Sequence, residues 1–264
     1  MIQQVDNPVL EVHDLTVSYD KKPVLWGIDL TVHKGSLVGI IGPNGAGKST
    51  LIKSVMGLIP LGSGYAELFG KSLDKVRGQV SYVPQRGTVD WDFPASVMDV
   101  VLMGRYGKLG LFRRPKKADR EAALTALRQV GMEPFVNRQI SQLSGGQQQR
   151  VFIARALAQQ ADIYFLDEPF AGVDAATEKA IITLLRKMSV EGKTVIVVHH
   201  DLQSVETYFN WIILLNMRLV ASGPTEEVFT QQLLQETYGG KLTLLSEVGN
   251  LLRKGEFPNR EKTV

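Results

Sequence analysis

The sequence predicts an α/β fold: a mainly parallel sheet, an N-terminal antiparallel β section and an inserted helical subdomain. Three observations predict it. Short apolar runs at Leu37-Val38-Gly39-Ile40-Ile41, Ile163-Tyr164-Phe165-Leu166 and Thr194-Val195-Ile196-Val197-Val198 have the length and residue types of buried strands. The first run leads into a glycine-rich loop and then into Leu51, Ile52, Val55, Met56 and Leu58 at helical spacing. From about residue 86 the strand–helix alternation gives way to a predominantly helical stretch.

The loop is Gly42-Pro43-Asn44-Gly45-Ala46-Gly47-Lys48-Ser49-Thr50, and it fills every fixed position of G-x-x-x-x-G-K-[ST]. A strand before and a helix after are the setting in which that spacing binds phosphate. The glycines let backbone N–H groups close around phosphate oxygens, and the helix N-terminus adds the positive end of its dipole. Lys48 is long enough to reach β- and γ-phosphates, and the Ser49 hydroxyl is a ligand for the Mg²⁺ between them. A P-loop NTPase core is the expectation.

At 264 residues, with 44% hydrophobic and 22% charged, the chain has ordinary globular composition and length for a large domain with a sub-lobe. Cysteine is absent, which excludes a disulfide framework and a thiolate metal site. Met1-Ile2-Gln3-Gln4-Val5-Asp6 shows no basic segment followed by an apolar stretch, so no secretory leader is expected. No apolar run approaches the roughly 18 residues of a membrane span, and an intracellular location is expected. A net charge of +3 is too small to indicate a nucleic-acid partner.

Taken in order, residues 9–19 alternate as a half-exposed strand and residues 24–33 form a second, which makes the antiparallel opening. Tyr19 ends the first strand; it suits either packing on the sheet or stacking on an adenine face. Tyr65-Ala66-Glu67-Leu68-Phe69 and Val80-Ser81-Tyr82-Val83 are further strands. Gln85 follows Pro84, where its carbonyl oxygen is available to Mg²⁺ and its amide to water. The loop Thr88-Val89-Asp90-Trp91-Asp92-Phe93-Pro94 carries aromatics of an exposed type. The run Arg113-Arg114-Pro115-Lys116-Lys117 reads as a solvated linker, and residues 121–130 as an amphipathic helix ended by Gly131.

Ser144 caps a helix that continues through Val151, Ile153, Ala154, Leu157 and Ala158. With Gly145, Gly146 and Gln147 it offers a second anion-binding end, which one nucleotide on one chain does not need. The strand at 163–166 delivers Asp167 and Glu168 at its C-terminal end: the first suits Mg²⁺, the second suits an attacking water. Ala171-Gly172-Val173-Asp174 turns into a helix over residues 175–188. The strand at 194–198 ends in His199-His200-Asp201, with His200 able to bond a γ-phosphate oxygen. A hairpin follows at Trp211-Ile212-Ile213-Leu214-Leu215 and Arg218-Leu219-Val220-Ala221, then a helix capped by Thr225. Residues 1–240 are expected to form one nucleotide-binding domain, with its helical subdomain over about residues 86–160, and residues 241–264 an appendage ending in a frayed tail.

Over about residues 9–235 the chain resembles the ATP-binding subunits of ABC transporters. Leu143-Ser144-Gly145-Gly146-Gln147 is the most specific part of the likeness. The resemblance implies that Tyr19 is the adenine-stacking aromatic, Gln85 the Q-loop glutamine, Asp167 the Walker B aspartate and Glu168 the catalytic glutamate. It further implies that Asp174 is the D-loop aspartate and that His200, not His199, is the switch histidine. The cofactors are then ATP and Mg²⁺. It also implies a head-to-tail homodimer, in which each ATP lies between the phosphate loop of one chain and Ser144, Gly145, Gly146 and Gln147 of the other.

As further partners the resemblance implies integral membrane permease subunits and, indirectly, an extracytoplasmic metal-binding protein, with the chain peripheral on the cytoplasmic face of the membrane. Asp90-Trp91-Asp92-Phe93-Pro94 and Met103-Gly104-Arg105-Tyr106 are similar to ATPases of manganese, zinc and iron importers; both stretches are expected to touch the permease. Manganese is the first expectation for the cargo and zinc the second. The alternatives are import of a metal chelate or other solute, and an ABC ATPase acting on nucleic acid. The latter class needs long heptad arms, and residues 51–142 contain no sustained heptads.

Overall fold

A computed structural model describes residues 7–20, 22–109 and 114–239. The leader reading at residues 1–6, Arg113 of the basic run and the appendage at 241–264 lie outside the described residues. An antiparallel sheet joins β1 (Leu10–Tyr19), β2 (Lys22–Val32) and β4 (Ser63–Leu68) in the order β2-β1-β4. The second sheet holds β3 (Leu37–Ile41), β5 (Val80–Val83), β6 (Ile163–Asp167), β7 (Thr194–His199), β8 (Trp211–Asn216) and β9 (Arg218–Pro224). Its order is β5-β6-β7-β3-β8-β9; every pairing is parallel except the β8–β9 hairpin.

The apolar alternation of β1 changes phase between Val12 and Leu15. The chain absorbs it in a bulge at Asp14, whose φ of 43° breaks the register with β2. Leu10, Val12, Leu15 and Val17 are all buried as a result. Strands β3, β6 and β7 are buried at every position, because both faces of the parallel sheet are covered. On one face Val38, Ile40, Ile163 and Phe165 meet the antiparallel sheet and α1 (Lys48–Val55). On the other, Leu37, Ile41, Tyr164 and Leu166 meet the helices.

The smaller α2 (Leu73–Val76) precedes β5. The helical segment then runs α3 (Val97–Met103), α4 (Tyr106–Leu109), α5 (Lys117–Gln129) and α6 (Gly145–Gln159), with α3 and α5 packed on α6. Capping boxes at Ser96 and Ser144 start α3 and α6. Helix α7 (Ala175–Val190) returns to the sheet, and α8 (Val205–Tyr208), α9 (Thr225–Val228) and α10 (Gln231–Tyr238) follow.

Two local readings need correction. Thr225 is the first residue of α9 and makes no cap; its hydroxyl donates to the Phe209 carbonyl at 2.8 Å. The Gly104-Arg105 pair faces inward. Arg105 pairs with Asp119 at 3.1 Å and donates to the Ala158 carbonyl at 3.0 Å and Gln160 at 2.9 Å, so it ties α4 and α5 to the end of α6. Met103 and Tyr106 on either side of that pair are exposed.

Candidate active site

The sheet order places the C-terminal ends of β5, β6, β7 and β3 side by side, and each end carries part of one cleft of about 500 Å³. From the loop after β3 come Asn44, Gly45, Ala46, Gly47, Lys48, Ser49 and Thr50. Gln85 comes from beyond β5, Glu168 from β6 and His200 from β7, and Val24 of β2 closes the wall. No pattern in the sequence singled out Val24.

Gly47 stands at the N-cap of α1 with φ 91°, a backbone region an L side chain rarely adopts; a Cβ there would also press on Leu25 at 2.5 Å. Gly42 answers to the fold, since its Cβ would collide with the Leu215 carbonyl of β8 at 2.0 Å. The loop is further held by the Ala46 carbonyl, which accepts from Met217 N–H at 3.0 Å. Lys48 is buried along the loop, and its ammonium donates to the carbonyls of Gly42 and Pro43 at 2.7 and 2.9 Å. Burial holds that ammonium below the usual lysine range, while Glu168 and Asp167 pull it back up.

Ser49 donates to Asp167 Oδ1 at 2.7 Å, and Oδ2 of the same fully buried carboxylate has no hydrogen-bond partner. Burial pushes the Asp167 carboxyl above the ordinary range, opposed by the Ser49 hydroxyl and the charges of Lys53 and Lys48. An orphaned carboxylate oxygen beside a serine hydroxyl is a donor set that fits a hard divalent cation such as Mg²⁺. Burial and the same carboxylate push the Tyr82 phenol upward.

Glu168 has φ 50°, so its backbone sits in the left-handed region just beyond the strand. Such conformations in a non-glycine residue cost energy and concentrate at functional sites. The twist turns the side chain into the cleft, where its Oε2 accepts from Gln85 Nε2 at 2.8 Å. That bond leaves the Gln85 carbonyl oxygen available to a cation. The two neighbouring histidines differ in setting, with ring centroids 6.0 Å apart: His200, just beyond β7, lines the cleft, and His199 is buried beside Phe170, Tyr208 and Phe209.

The remaining candidates do not line the cleft. Tyr19 ends β1 opposite Lys22 and is 46% exposed. Ser144, Gly145, Gly146 and Gln147 open α6; the Ser144 hydroxyl accepts from Gln147 N–H, and the Gln147 side chain accepts from Ser144 N–H. Asp174 caps α7 by accepting from the Thr177 N–H at 2.9 Å and hydroxyl at 2.7 Å, and these bonds hold its carboxyl below the ordinary range. Asp174 also stands next to α6: a Cβ on Gly146 would lie 3.8 Å from its Oδ2. Trp91 differs from its reading as an exposed aromatic, being half-buried with its ring 4.7 Å from Phe152 of α6; Phe93 in the same loop is exposed.

Residues 25–171 match the family model described as ABC transporter. The manganese transport system ATP-binding protein MntB of Bacillus subtilis (strain 168) is 64% identical over 238 residues, covering 90% of this chain and 95% of that protein. The zinc transport system ATP-binding protein TroB of Treponema pallidum (strain Nichols) is 56% identical over 234 residues, covering 89% of this chain and 88% of the other. A solved ATP-binding subunit of an ABC transporter superposes with a TM-score of 0.74 at 27% identity, over 89% of this chain and 98% of that one.

Proposed function

The chain belongs to the ABC transporter family as an ATP-binding subunit, an ATPase coupled to transport, and from that premise we propose the roles of its residues and the cargo it serves. Lys48 and the backbone N–H groups of residues 44–50 bind the β- and γ-phosphates. Ser49, Asp167 and Gln85 would hold Mg²⁺, which when bound would supply charge that neutralises the phosphates. Glu168 accepts a hydrogen bond from the attacking water, and its strained backbone with the Gln85 amide fixes where that water stands. His200 reaches a γ-phosphate oxygen from the β7 end, and Tyr19 offers its exposed ring to adenine. The observation that carries these assignments is one cleft in which Lys48, Ser49, Gln85, Glu168 and His200 converge from four neighbouring strand ends.

The Ser144–Gln147 end of α6 is outside that cleft, which supports a second copy as its user: a head-to-tail homodimer with two shared ATP sites. Asp174, beside Gly146, belongs to the same contact. Residues 1–240 form the nucleotide-binding domain, with the helical subdomain over about 86–160 and an appendage at 241–264. A transport system implies membrane permease partners, and among the described residues no helix is long and apolar enough to cross a membrane. The permease is proposed as a separate subunit against whose cytoplasmic face this chain lies. Exposed Phe93, Met103 and Tyr106 are the side chains that meet it. An extracytoplasmic binding protein delivers the cargo to that permease.

The cargo is a divalent transition metal, manganese first and zinc second, with iron the remaining choice. The names of the Bacillus and Treponema relatives support that order. Elemental analysis of cells carrying Lys48→Ala under metal scarcity tests it. Cellular manganese falls, or zinc if the second choice holds; unchanged manganese, zinc and iron with altered uptake of another solute overturns the cargo.

A further inference from the structure

Arg86 follows Gln85 in the turn beyond β5 but takes no part in the nucleotide cleft. Its guanidinium lies on the first residue of α6. A Cβ on Gly145 would stand 2.8 Å from Arg86 Cζ, 2.9 Å from Nη1 and 3.0 Å from Nη2, so the planar group packs directly against the glycine backbone. Arg86 Nε and Nη2 both donate to Gln148 Oε1, at 3.3 and 3.0 Å. Gln148 is itself buried, and its amide donates to the Ile140 carbonyl at 3.2 Å. Trp91 closes the arrangement: its Nε1 donates to the Arg86 carbonyl at 3.0 Å, and its ring packs on Phe152 of α6. The turn before Asp174 meets the same group, since a Cβ on Gly172 would lie 3.9 Å from Nη1.

Helix stability does not account for this placement. The N-terminus of α6 is the positive end of its dipole, where a cation is unfavourable. What the contact does fix is position. Gln85 is bonded to Glu168, and the next residue is fastened to α6 by a planar fork and an indole. We propose that Arg86 is a positioning residue that holds the Ser144–Gln147 end of α6 in register with Gln85 and the 171–172 turn. The surface offered to a partner's nucleotide is thereby tied to the turn that carries Gln85. This rests on the ATPase reading above.

The test uses the full chain with Arg86→Ala, Arg86→Lys, Gln148→Ala and the Arg86→Ala/Gln148→Ala double variant. Binding of a fluorescent ATP analogue with Mg²⁺, thermal melting and steady-state hydrolysis are measured for each. Arg86→Ala is expected to bind nucleotide within about twofold of the parent and lose about tenfold or more in kcat, with KM within about threefold. Arg86→Lys stays close to Arg86→Ala, because an ammonium lacks the planar fork. The double variant is no worse than Arg86→Ala within about twofold, since both changes break one contact.

A kcat within about twofold of the parent, full rescue by lysine, or multiplying losses in the double variant overturns the proposal. So does a rise in KM at unchanged kcat, which would make Arg86 a nucleotide contact. If Arg86→Ala fails to fold, Gln148→Ala carries the same expectation; loss of the fold in both makes the contact structural and also overturns it. Glu168→Gln separates the two readings. A fully active Glu168→Gln sinks the ATPase assignment, whereas an inactive Glu168→Gln beside a fully active Arg86→Ala sinks this inference alone.

Discussion

Two residues at the strand ends show how local geometry sets chemistry. Glu168 combines a left-handed backbone with a hydrogen bond from Gln85, so its carboxylate is held rather than merely present. Glu168→Gln keeps the shape and removes the charge. Nucleotide binding should persist while turnover is suppressed and an ATP-bound dimer accumulates. Hydrolysis within about threefold of the parent would mean less than ~1 kcal/mol of barrier has changed, and the role would be wrong. His199 is the buried counterpart of His200: its Nε2 shares a 2.7 Å hydrogen bond with Ser204, whose hydroxyl also donates to Asp201. Burial lowers its pKa from 6.5 to about 4, with Asp201 opposing and His200 adding to the shift. The unfolded chain therefore takes a proton near 6.5 that the folded chain refuses until about 4. Stability from this group is fully present above 6.5 and erodes as pH falls toward about 4. Between about pH 7 and about pH 5 the loss is about 2 kcal/mol. Urea midpoints at the two pH values should show it, and His199→Gln should flatten the dependence; an equal slope in that variant would refute the assignment.

At the scale of elements, the helical segment depends on close approach between α3 and α6. A Cβ on Gly104, at the C-cap of α3, would meet the Arg155 carbonyl of α6 at 2.1 Å. Backbone cannot swing aside as a flexible side chain does, so Gly104→Ala must part the helices. A destabilisation of about 2 kcal/mol is expected, in the range of overpacking, with thermal unfolding as the measure. A melting temperature equal to the parent's would show that the helices separate without cost. In the sequence Gly104 stands beside Arg105 in a stretch expected to meet the permease. The structure divides that stretch: Gly104 and Arg105 serve the packing of α3, α4, α5 and α6, while Met103 and Tyr106 remain exposed. Trp91 divides its loop from Phe93 in the same way. Residue type alone does not separate a tryptophan on a helix from one on a partner.

At the scale of the whole molecule, Lys48 lies in the cleft and Ser144 at a helix end outside it, so the shared-site dimer makes a definite prediction. Lys48→Ala disables the phosphate loop of its own chain; Ser144→Arg fills the Ser144–Gln147 end of α6 with a bulky side chain. Each homodimer has two dead sites. After mixing and exchange, about half the dimers are mixed, and each of those has one site free of lesions. Recovery should approach about a quarter of parental activity for independent sites. Both lesions on one chain, mixed with the parent, leave the mixed dimers with no intact site. Trapped ATP is measured beside turnover, because obligatory cooperation between sites would hide recovered hydrolysis. If mixed dimers form and show neither trapped ATP nor turnover, the shared-site model falls.

The sequence by itself determined the α/β class, the buried strands and most of the residues that line the cleft, although nothing in it pointed to Val24. Buried parallel strands read as near-continuous apolar runs, as β3 and the central residues of β6 and β7 do, and a loop that wraps phosphate has glycines and a lysine at set spacing. The alternation over residues 9–19 predicts a half-exposed strand; that Leu10, Val12, Leu15 and Val17 are all buried depends on the bulge at Asp14, a property of pairing with β2. The tertiary structure alone decided which strand ends are neighbours, because the order β5-β6-β7-β3 is set by packing across the sheet and not by position along the chain. It also decided what individual glycines and charges are for. Gly42 accommodates β8, Gly145 accommodates Arg86, and Arg105 turns inward to Asp119. Each answers to an atom distant in sequence, and local propensity holds no record of such atoms.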